Sequence, residues 1–299
     1  MIDAGRIQTL IGIDGGGTGT RARIATRDGR VLGSGEAGPS GLAAGSELAW
    51  KNISLAIEHA RQAASLGPID PATSAIGLGL AGAHVADRCR AFRRNAPPFA
   101  RIALETDSYA ALVGAHANRP GALVVAGTGS VGEALRHDGS RVSVGGYGFP
   151  SDDEGSGAWL GLGAVREAQR ALDGIVPAGP LVKAVRQATG HSRESMLDWC
   201  AGATQHSYAG LALIVFAQEE RDASAQHLIA GALLRLQELA VALDPRGELP
   251  LVFHGSIGQR LQPRLIASLR ARCVTPAGDA IDGALQLIGA ALAEEIPEK

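Results

Sequence analysis

The residues of this sequence best suited to chemistry are carboxylates standing next to glycine-threonine turns. Asp14 follows the apolar Ile11-Gly12-Ile13 and precedes Gly15-Gly16-Gly17-Thr18, so its side chain should stand at the mouth of a turn. Asp107 follows an apolar stretch at 102–104, after Glu105 and Thr106, where a helical pattern begins. Helix N-cap and catalytic group are both open to it. Asp152-Asp153-Glu154 precedes another helical stretch, where the helix dipole favours negative charge. The turns recur. Gly17-Thr18-Gly19-Thr20 returns as Gly127-Thr128-Gly129-Ser130, and Asp28-Gly29 returns as Asp138-Gly139, both at an offset of 110 residues. An apolar run enters each turn, which is the pattern of a duplicated β-hairpin. Two such turns facing each other across a cleft would offer free backbone N–H groups and hydroxyls able to grip a polyphosphate from both sides.

Other chemistries lose their footing. There is no G-x-x-x-x-G-K-[ST], and the lysines are Lys51, Lys183 and Lys299, which removes a P-loop. Gly77-Leu78-Gly79-Leu80-Ala81-Gly82 matches G-x-G-x-x-G, but it follows three hairpin strands and no acidic residue lies about 20 positions on, so it reads as a tight strand-to-helix turn near a ligand. Neither G-x-S-x-G nor H-E-x-x-H occurs, and the eight histidines form no ligand-spaced cluster. Cys89, Cys200 and Cys273 lack disulfide or metal spacing and read as buried thiols of a cytoplasmic protein.

The chain has 299 residues, 45% of them hydrophobic, enough for about two domains. A net charge of −2 gives no reason to expect nucleic acid or an anionic membrane as partner. The longest apolar run, 209–217, is far short of the ~20 residues of a membrane helix. A small-molecule ligand is the better expectation.

The elements that must position these residues can be read in order. Residues 7–14, 20–26 and 30–36 read as three antiparallel strands. A helix follows from Ser46, as N-cap, to about Leu66, then a strand at 75–80, a helix at 85–94, a strand at 102–106 and a helix to Ala117. The order restarts with hairpin strands at 121–127, 130–136 and 141–145. A helical block at 156–243, a strand at 249–254, a helix, a short strand at 272–275 and a last helix from Asp279 to Glu295 complete it. Two packed α/β domains with a ligand cleft between them are expected.

IGIDGGGTGTRARI at 11–24, VVAGTGSVG at 124–132, GGYGFPSDDEGSGAWLG at 145–161, FHGSIG at 253–258 and Asp282-Gly283-Ala284-Leu285 together resemble the N-acetylglucosamine and glucosamine kinases. Those belong to the superfamily of sugar kinases, actin and heat-shock chaperones. The resemblance implies two RNase H-like α/β domains with an interdomain nucleotide and sugar cleft. It puts the first domain at 1–107, with a last helix at 286–299 packing on it, and the second at 108–285 with a helical insertion at 156–243. It implies ATP and Mg²⁺ as cofactors and transfer of the γ-phosphate to the 6-hydroxyl of an amino sugar. Asp14 would organise Mg²⁺ through water. Gly15, Gly16, Gly17, Thr18, Gly127 and Thr128 would hold the phosphates, and Gly255, Ser256 and Gly258 the adenosine. Asp107 would be the general base, with Ser40, Gly41, Gly129, Ser130, Gly146 and Asp153 around the sugar.

Two positions depart from the family pattern. Gly41 stands where an asparagine usually contacts the sugar, and Asp152 stands where a glycine usually precedes the acidic pair. Together they lean the expectation toward cationic glucosamine being accepted as well as or better than the acetylated sugar. Rival readings are an activator ATPase of the benzoyl-CoA reductase type, which needs a cysteine-held iron–sulfur cluster, and a non-catalytic sugar binder. A repressor would need a DNA-binding domain, for which there is no room ahead of Ile7. Monomer and homodimer both remain open.

Overall fold

The computed structural model describes residues 7–294. In chain order its strands are β1 (Thr9–Gly15), β2 (Thr20–Thr26), β3 (Val31–Ala37), β4 (Ser74–Leu80), β5 (Arg101–Glu105), β6 (Gly121–Ala126), β7 (Ser130–Leu135), β8 (Arg141–Gly145) and β9 (Leu251–His254). The helices are α1 (Ser46–Ala63), α2 (Ala86–Arg94), α3 (Asp107–His116), α4 (Gly157–Leu172), α5 (Pro180–Thr189), α6 (Arg193–Gly202), α7 (Gln205–Gly210), α8 (Ala212–Ala217), α9 (Ala223–Leu243), α10 (Gly255–Leu261), α11 (Ala267–Arg270) and α12 (Ala280–Ala293). They form two compact units, one running to Pro120 and resuming at Thr275, the other Gly121–Val274.

The first unit is a five-stranded sheet in the order β3-β2-β1-β4-β5. β1, β2 and β3 pair antiparallel, while β1, β4 and β5 run parallel, so the last three end at the same edge. One face is covered by α1, whose Ala49, Trp50, Ile53, Ala56 and Ala60 recur at helical spacing and bury against Ile11, Ile13, Ile24, Ile76 and Leu78. The other face carries α12 and α3. β4 is buried along its whole length, as a strand covered on both faces must be. Its Gly77 admits α12: a Cβ there would lie 1.9 Å from the Ala284 carbonyl oxygen. Gly77 and Gly79 therefore sit inside the strand, and only Gly82, at φ +86°, serves the turn that the G-x-G-x-x-G match suggests.

The second unit repeats the hairpin unit as a four-stranded sheet in the order β8-β7-β6-β9. Helices α4 to α9 fill the interval between β8 and β9 and share one apolar core with the sheet. The Asp-Gly turns of the two copies are alike: Gly29 and Gly139 have φ of +88° and +80°, and each donates its N–H three residues back. The Gly-Thr turns are not. Gly15 pairs with Thr20, whereas Ala126 pairs with Ser130, so the second turn is one residue tighter despite the constant sequence offset.

Several sequence expectations shift. Ser46 is the first helical residue rather than the cap, because Gly45 at φ +99° makes the entry. Thr106, not Asp107, caps α3, its hydroxyl accepting from the Tyr109 N–H. Residues 272–275 supply a single parallel bridge, Cys273 to Leu251, in place of a strand. The three cysteines are free and only partly buried. α3 packs on α12 through the close contact of Gly283 with the Ala110 carbonyl, so the division falls after Pro120 rather than after Asp107. Residues 1–6 and 295–299 of the expected boundaries lie outside the described residues. Among the described residues no helix is long and apolar enough to cross a membrane.

Candidate active site

In the first unit the turn after β1 is closed by the Gly16 N–H donating to the Gly19 carbonyl at 3.0 Å. The N–H groups of Ser40 and Gly41 both donate to the Gly16 carbonyl, at 3.1 and 3.0 Å, fixing the turn from below. The Ser40 hydroxyl is buried, hydrogen-bonded to that of Thr20 at 2.8 Å, and packed where a Gly15 side chain would otherwise be. Ser40 thus builds the turn, and its side chain is not presented for a sugar. Gly17 and Thr18 are exposed, and their amides have no acceptor among the described residues. Gly16 and Gly17 are outside the left-handed region and a Cβ on either would meet nothing within 4 Å. Neither backbone conformation nor packing among the described residues requires glycine there.

Asp14 and Asp107 stand at the carboxyl ends of β1 and β5, the edge where parallel strands present ligand groups. Asp14 Oδ2 is held by Arg21 at 2.6 Å. Asp107 Oδ1 accepts the Ser108 N–H at 3.0 Å, and Oδ2 has no partner among the described residues. Burial, with help from the charge of Asp14, pushes the Asp107 carboxyl above the usual carboxylate range, against the opposing pull of the Ser108 N–H and His84. A base raised in this way is better matched to proton abstraction near neutrality.

In the second unit, the β6–β7 turn is held by the first turn of α4, where Gly157 and Ala158 donate to the carbonyls of Gly127 and Thr128 at 2.8 and 3.1 Å. The amides of Thr128 and Gly129 are left without acceptors among the described residues, and a Cβ at Gly127 would again meet nothing within 4 Å. Gly255, at φ +83°, begins α10 directly against this turn, since a Cβ there would lie 2.5 Å from the Ala126 carbonyl oxygen. Ser256 is exposed and Gly258 buried beneath it. The candidate phosphate and adenosine residues of this unit are therefore contiguous.

Asp153 is 6% exposed and sits at φ +63°. Its Oδ1 accepts the Ser130 N–H at 2.9 Å and its Oδ2 the Gln205 side-chain amide at 2.7 Å. Burial, and the neighbouring Asp152, push its carboxyl upward while these two donors oppose the shift. The Ser130 hydroxyl is likewise engaged, by the Glu154 carbonyl at 2.8 Å. Gly146 is exposed on the loop after β8. Asp152 Oδ2 accepts the Tyr147 N–H at 2.8 Å and so staples that loop. Among the described residues no group of three His, Cys, Asp or Glu side chains could hold a metal.

The sequence signature of the BadF/BadG/BcrA/BcrD ATPase family matches residues 11–272. The chain belongs to that family. The chain is 36% identical to the glucosamine kinase GspK of Vibrio cholerae over 280 residues, 93% of this chain and 95% of that one. It is 32% identical to an N-acetylmuramic acid/N-acetylglucosamine kinase of Clostridium acetobutylicum over 169 residues, 55% of this chain and 54% of the relative. A solved structure from Chromobacterium violaceum, provisionally assigned as an N-acetylglucosamine kinase, superposes with a TM-score of 0.92 at 43% identity, covering 95% of this chain and 99% of the other. The mixed α/β architecture with two sheets is therefore that of the sugar kinase and actin-like fold.

For this BadF/BadG/BcrA/BcrD ATPase family member, two contributors are not singled out from the sequence. Arg21 could have been found from hairpin register, being the residue opposite Asp14 across β1 and β2. Gln205 carries no local signal, because it reaches Asp153 from 52 residues away.

Proposed function

We propose that the protein is an ATP-dependent amino-sugar kinase that transfers the γ-phosphate of ATP to the 6-hydroxyl of glucosamine or N-acetylglucosamine. The observation that carries the reading is Asp107: a half-buried carboxylate with a raised proton affinity and one oxygen unpartnered among the described residues, at the same sheet edge as Asp14 and the exposed Gly17-Thr18 turn. The 36% identity to a glucosamine kinase over 93% of the chain supports it. The order of three antiparallel strands followed by parallel ones supports reading each unit as an RNase H-like module.

Phosphoryl transfer needs positioning and charge neutralisation more than covalent help. The amides of Gly17, Thr18, Thr128 and Gly129 are donors suited to β- and γ-phosphate oxygens, and the open space at Gly16, Gly17 and Gly127 lets those oxygens approach the backbone. Gly255, Ser256 and Gly258 take the adenosine side. Asp107 accepts the proton of the sugar hydroxyl through Oδ2. Mg²⁺, when bound with ATP, neutralises phosphate charge. A single carboxylate, Asp14, is a suitable donor for an ion that keeps much of its water shell and takes its other ligands from phosphate. Gly129 and Gly146 remain available for sugar contacts, with Asp153 and Ser130 shaping the surface beneath them.

An ATP-consumption assay with glucosamine, N-acetylglucosamine and glucose tests the proposal. Both amino sugars should exceed glucose by at least about tenfold in kcat/KM, because a site built around a nitrogen substituent leaves polar groups unpaired with its hydroxyl analogue. A preference for glucose would refute the amino-sugar assignment. Sugar-independent ATP hydrolysis would favour the activator reading.

A further inference from the structure

The surroundings of Asp14 contain more than a metal-organising carboxylate requires. Arg21 lies opposite it in the β1–β2 register. Two donors of the guanidinium, Nε at 3.1 Å and Nη2 at 2.6 Å, converge on the same oxygen, Oδ2. Oδ1 takes no hydrogen bond among the described residues. The side chains are 45% and 21% exposed, so burial does not force this pairing. Arg21 is itself braced. Its Nη1 lies 3.8 Å from Asp279 Oδ2, which also receives Arg23 Nη2 at 3.1 Å, and Arg23 pairs in turn with Asp282. Asp279 and Asp282 form the capping box that starts α12, and α12 packs on β1 and β4. The guanidinium is thus tied to a helix start anchored on the same sheet that carries Asp14.

We propose that Arg21 is the positioning residue of Asp14: by fixing Oδ2 it leaves Oδ1 as the oxygen that meets the water shell of nucleotide-bound Mg²⁺. The inference rests on the kinase reading above. A fork of two converging N–H groups on one oxygen holds that oxygen in place more tightly than a point charge on a flexible stem does. Hydrogen bonds behind a metal-organising group set where its waters stand, so loss of the fork should be felt as weaker cation binding. Charge repulsion alone predicts the opposite, since removing a cation beside Asp14 should strengthen attraction for Mg²⁺.

The test measures the Mg²⁺ concentration giving half-maximal thermal stabilisation by the non-hydrolysable analogue AMPPNP, for wild type, Arg21→Lys, Arg21→Met and Asp14→Ala. Both Arg21 variants should need on the order of fivefold more Mg²⁺, and Asp14→Ala more still. Without nucleotide their melting temperatures should stay near wild type, because an exposed pair contributes little to stability. Wild-type behaviour of Arg21→Lys, or tighter Mg²⁺ use by Arg21→Met, overturns the positioning role while Asp14→Ala still responds. An unresponsive Asp14→Ala overturns the metal role and this inference with it. Sugar turnover in the same preparations tests the kinase reading separately.

Discussion

Asp107→Asn separates chemistry from architecture. The amide has nearly the same volume, and its oxygen can still accept the Ser108 N–H that now lies 3.0 Å from Oδ1. Thr106 rather than Asp107 caps α3, so the helix start is untouched. Burial and the charge of Asp14 already work against the ionised form, so neutralising the side chain should leave the melting temperature unchanged or slightly raised. What disappears is the basic lone pair on Oδ2. General-base catalysis is worth roughly 10²- to 10⁴-fold, about 3 to 5 kcal/mol of activation free energy, and the loss should fall on kcat with nucleotide affinity retained. The assay pairs steady-state turnover with calorimetric titration of the ATP analogue. The wild-type pH profile supplies a second check. The base must be ionised to act, and its proton affinity is raised, so kcat/KM should fall on acidification with a limb above the usual carboxylate range, and that limb should be absent from the residual activity of the variant. Retention of more than about a tenth of the turnover would place the base elsewhere.

Gly17→Ala should melt like wild type, since the added carbon meets nothing within 4 Å, yet should raise KM for ATP severalfold if phosphate approaches that backbone; unchanged KM would remove the turn from the nucleotide site. Gly77→Ala should do the reverse, because its Cβ would lie 1.9 Å from the Ala284 carbonyl oxygen and α12 must move. A drop of roughly 2 to 12 °C in melting temperature is expected, corresponding to overpacking of about 1 to 3 kcal/mol. Asp153→Ala should lower the melting temperature even without sugar, since it strands the Ser130 N–H and the Gln205 amide, at a cost of about 1 to 3 kcal/mol. An unaltered melting curve together with a raised sugar KM would make Asp153 a sugar contact alone.

The hairpins were legible because glycine, Asp-Gly and alternating apolar residues report on backbone geometry within a few positions. β1, β2, β3, β6, β7 and β8 all fall within about two residues of the expected spans. Boundaries failed where the deciding partner is distant. The 77–82 glycines read as a turn because nothing nearby in sequence reveals that α12, some 200 residues on, lies against the strand. The 272–275 segment has strand-like composition but finds only Leu251 as a partner. Ser46 and Asp107 are good capping residues by type, yet each is preceded by a residue whose backbone or hydroxyl makes the cap.

The acidic residues show the same limit most sharply, and their sorting bears on mechanism. Asp14, Asp107, Asp152 and Asp153 look equivalent as carboxylates next to glycine turns. In the folded chain Asp153 is engaged through both oxygens, and Asp152 is tied to the loop it belongs to. The charge of Asp152 still acts on Asp153, so the lean toward a cationic sugar keeps that electrostatic basis, although the Asp152 side chain is also committed to its own loop. Asp14 Oδ1 and Asp107 Oδ2 remain without partners among the described residues. Both belong to the first unit, at the ends of strands running in the same direction. Their surroundings differ: Asp14 is braced by a guanidinium that fixes one of its oxygens, while the half-buried Asp107 carboxyl is desolvated, which favours taking up a proton. The environments, rather than the residue type, separate the two carboxylates.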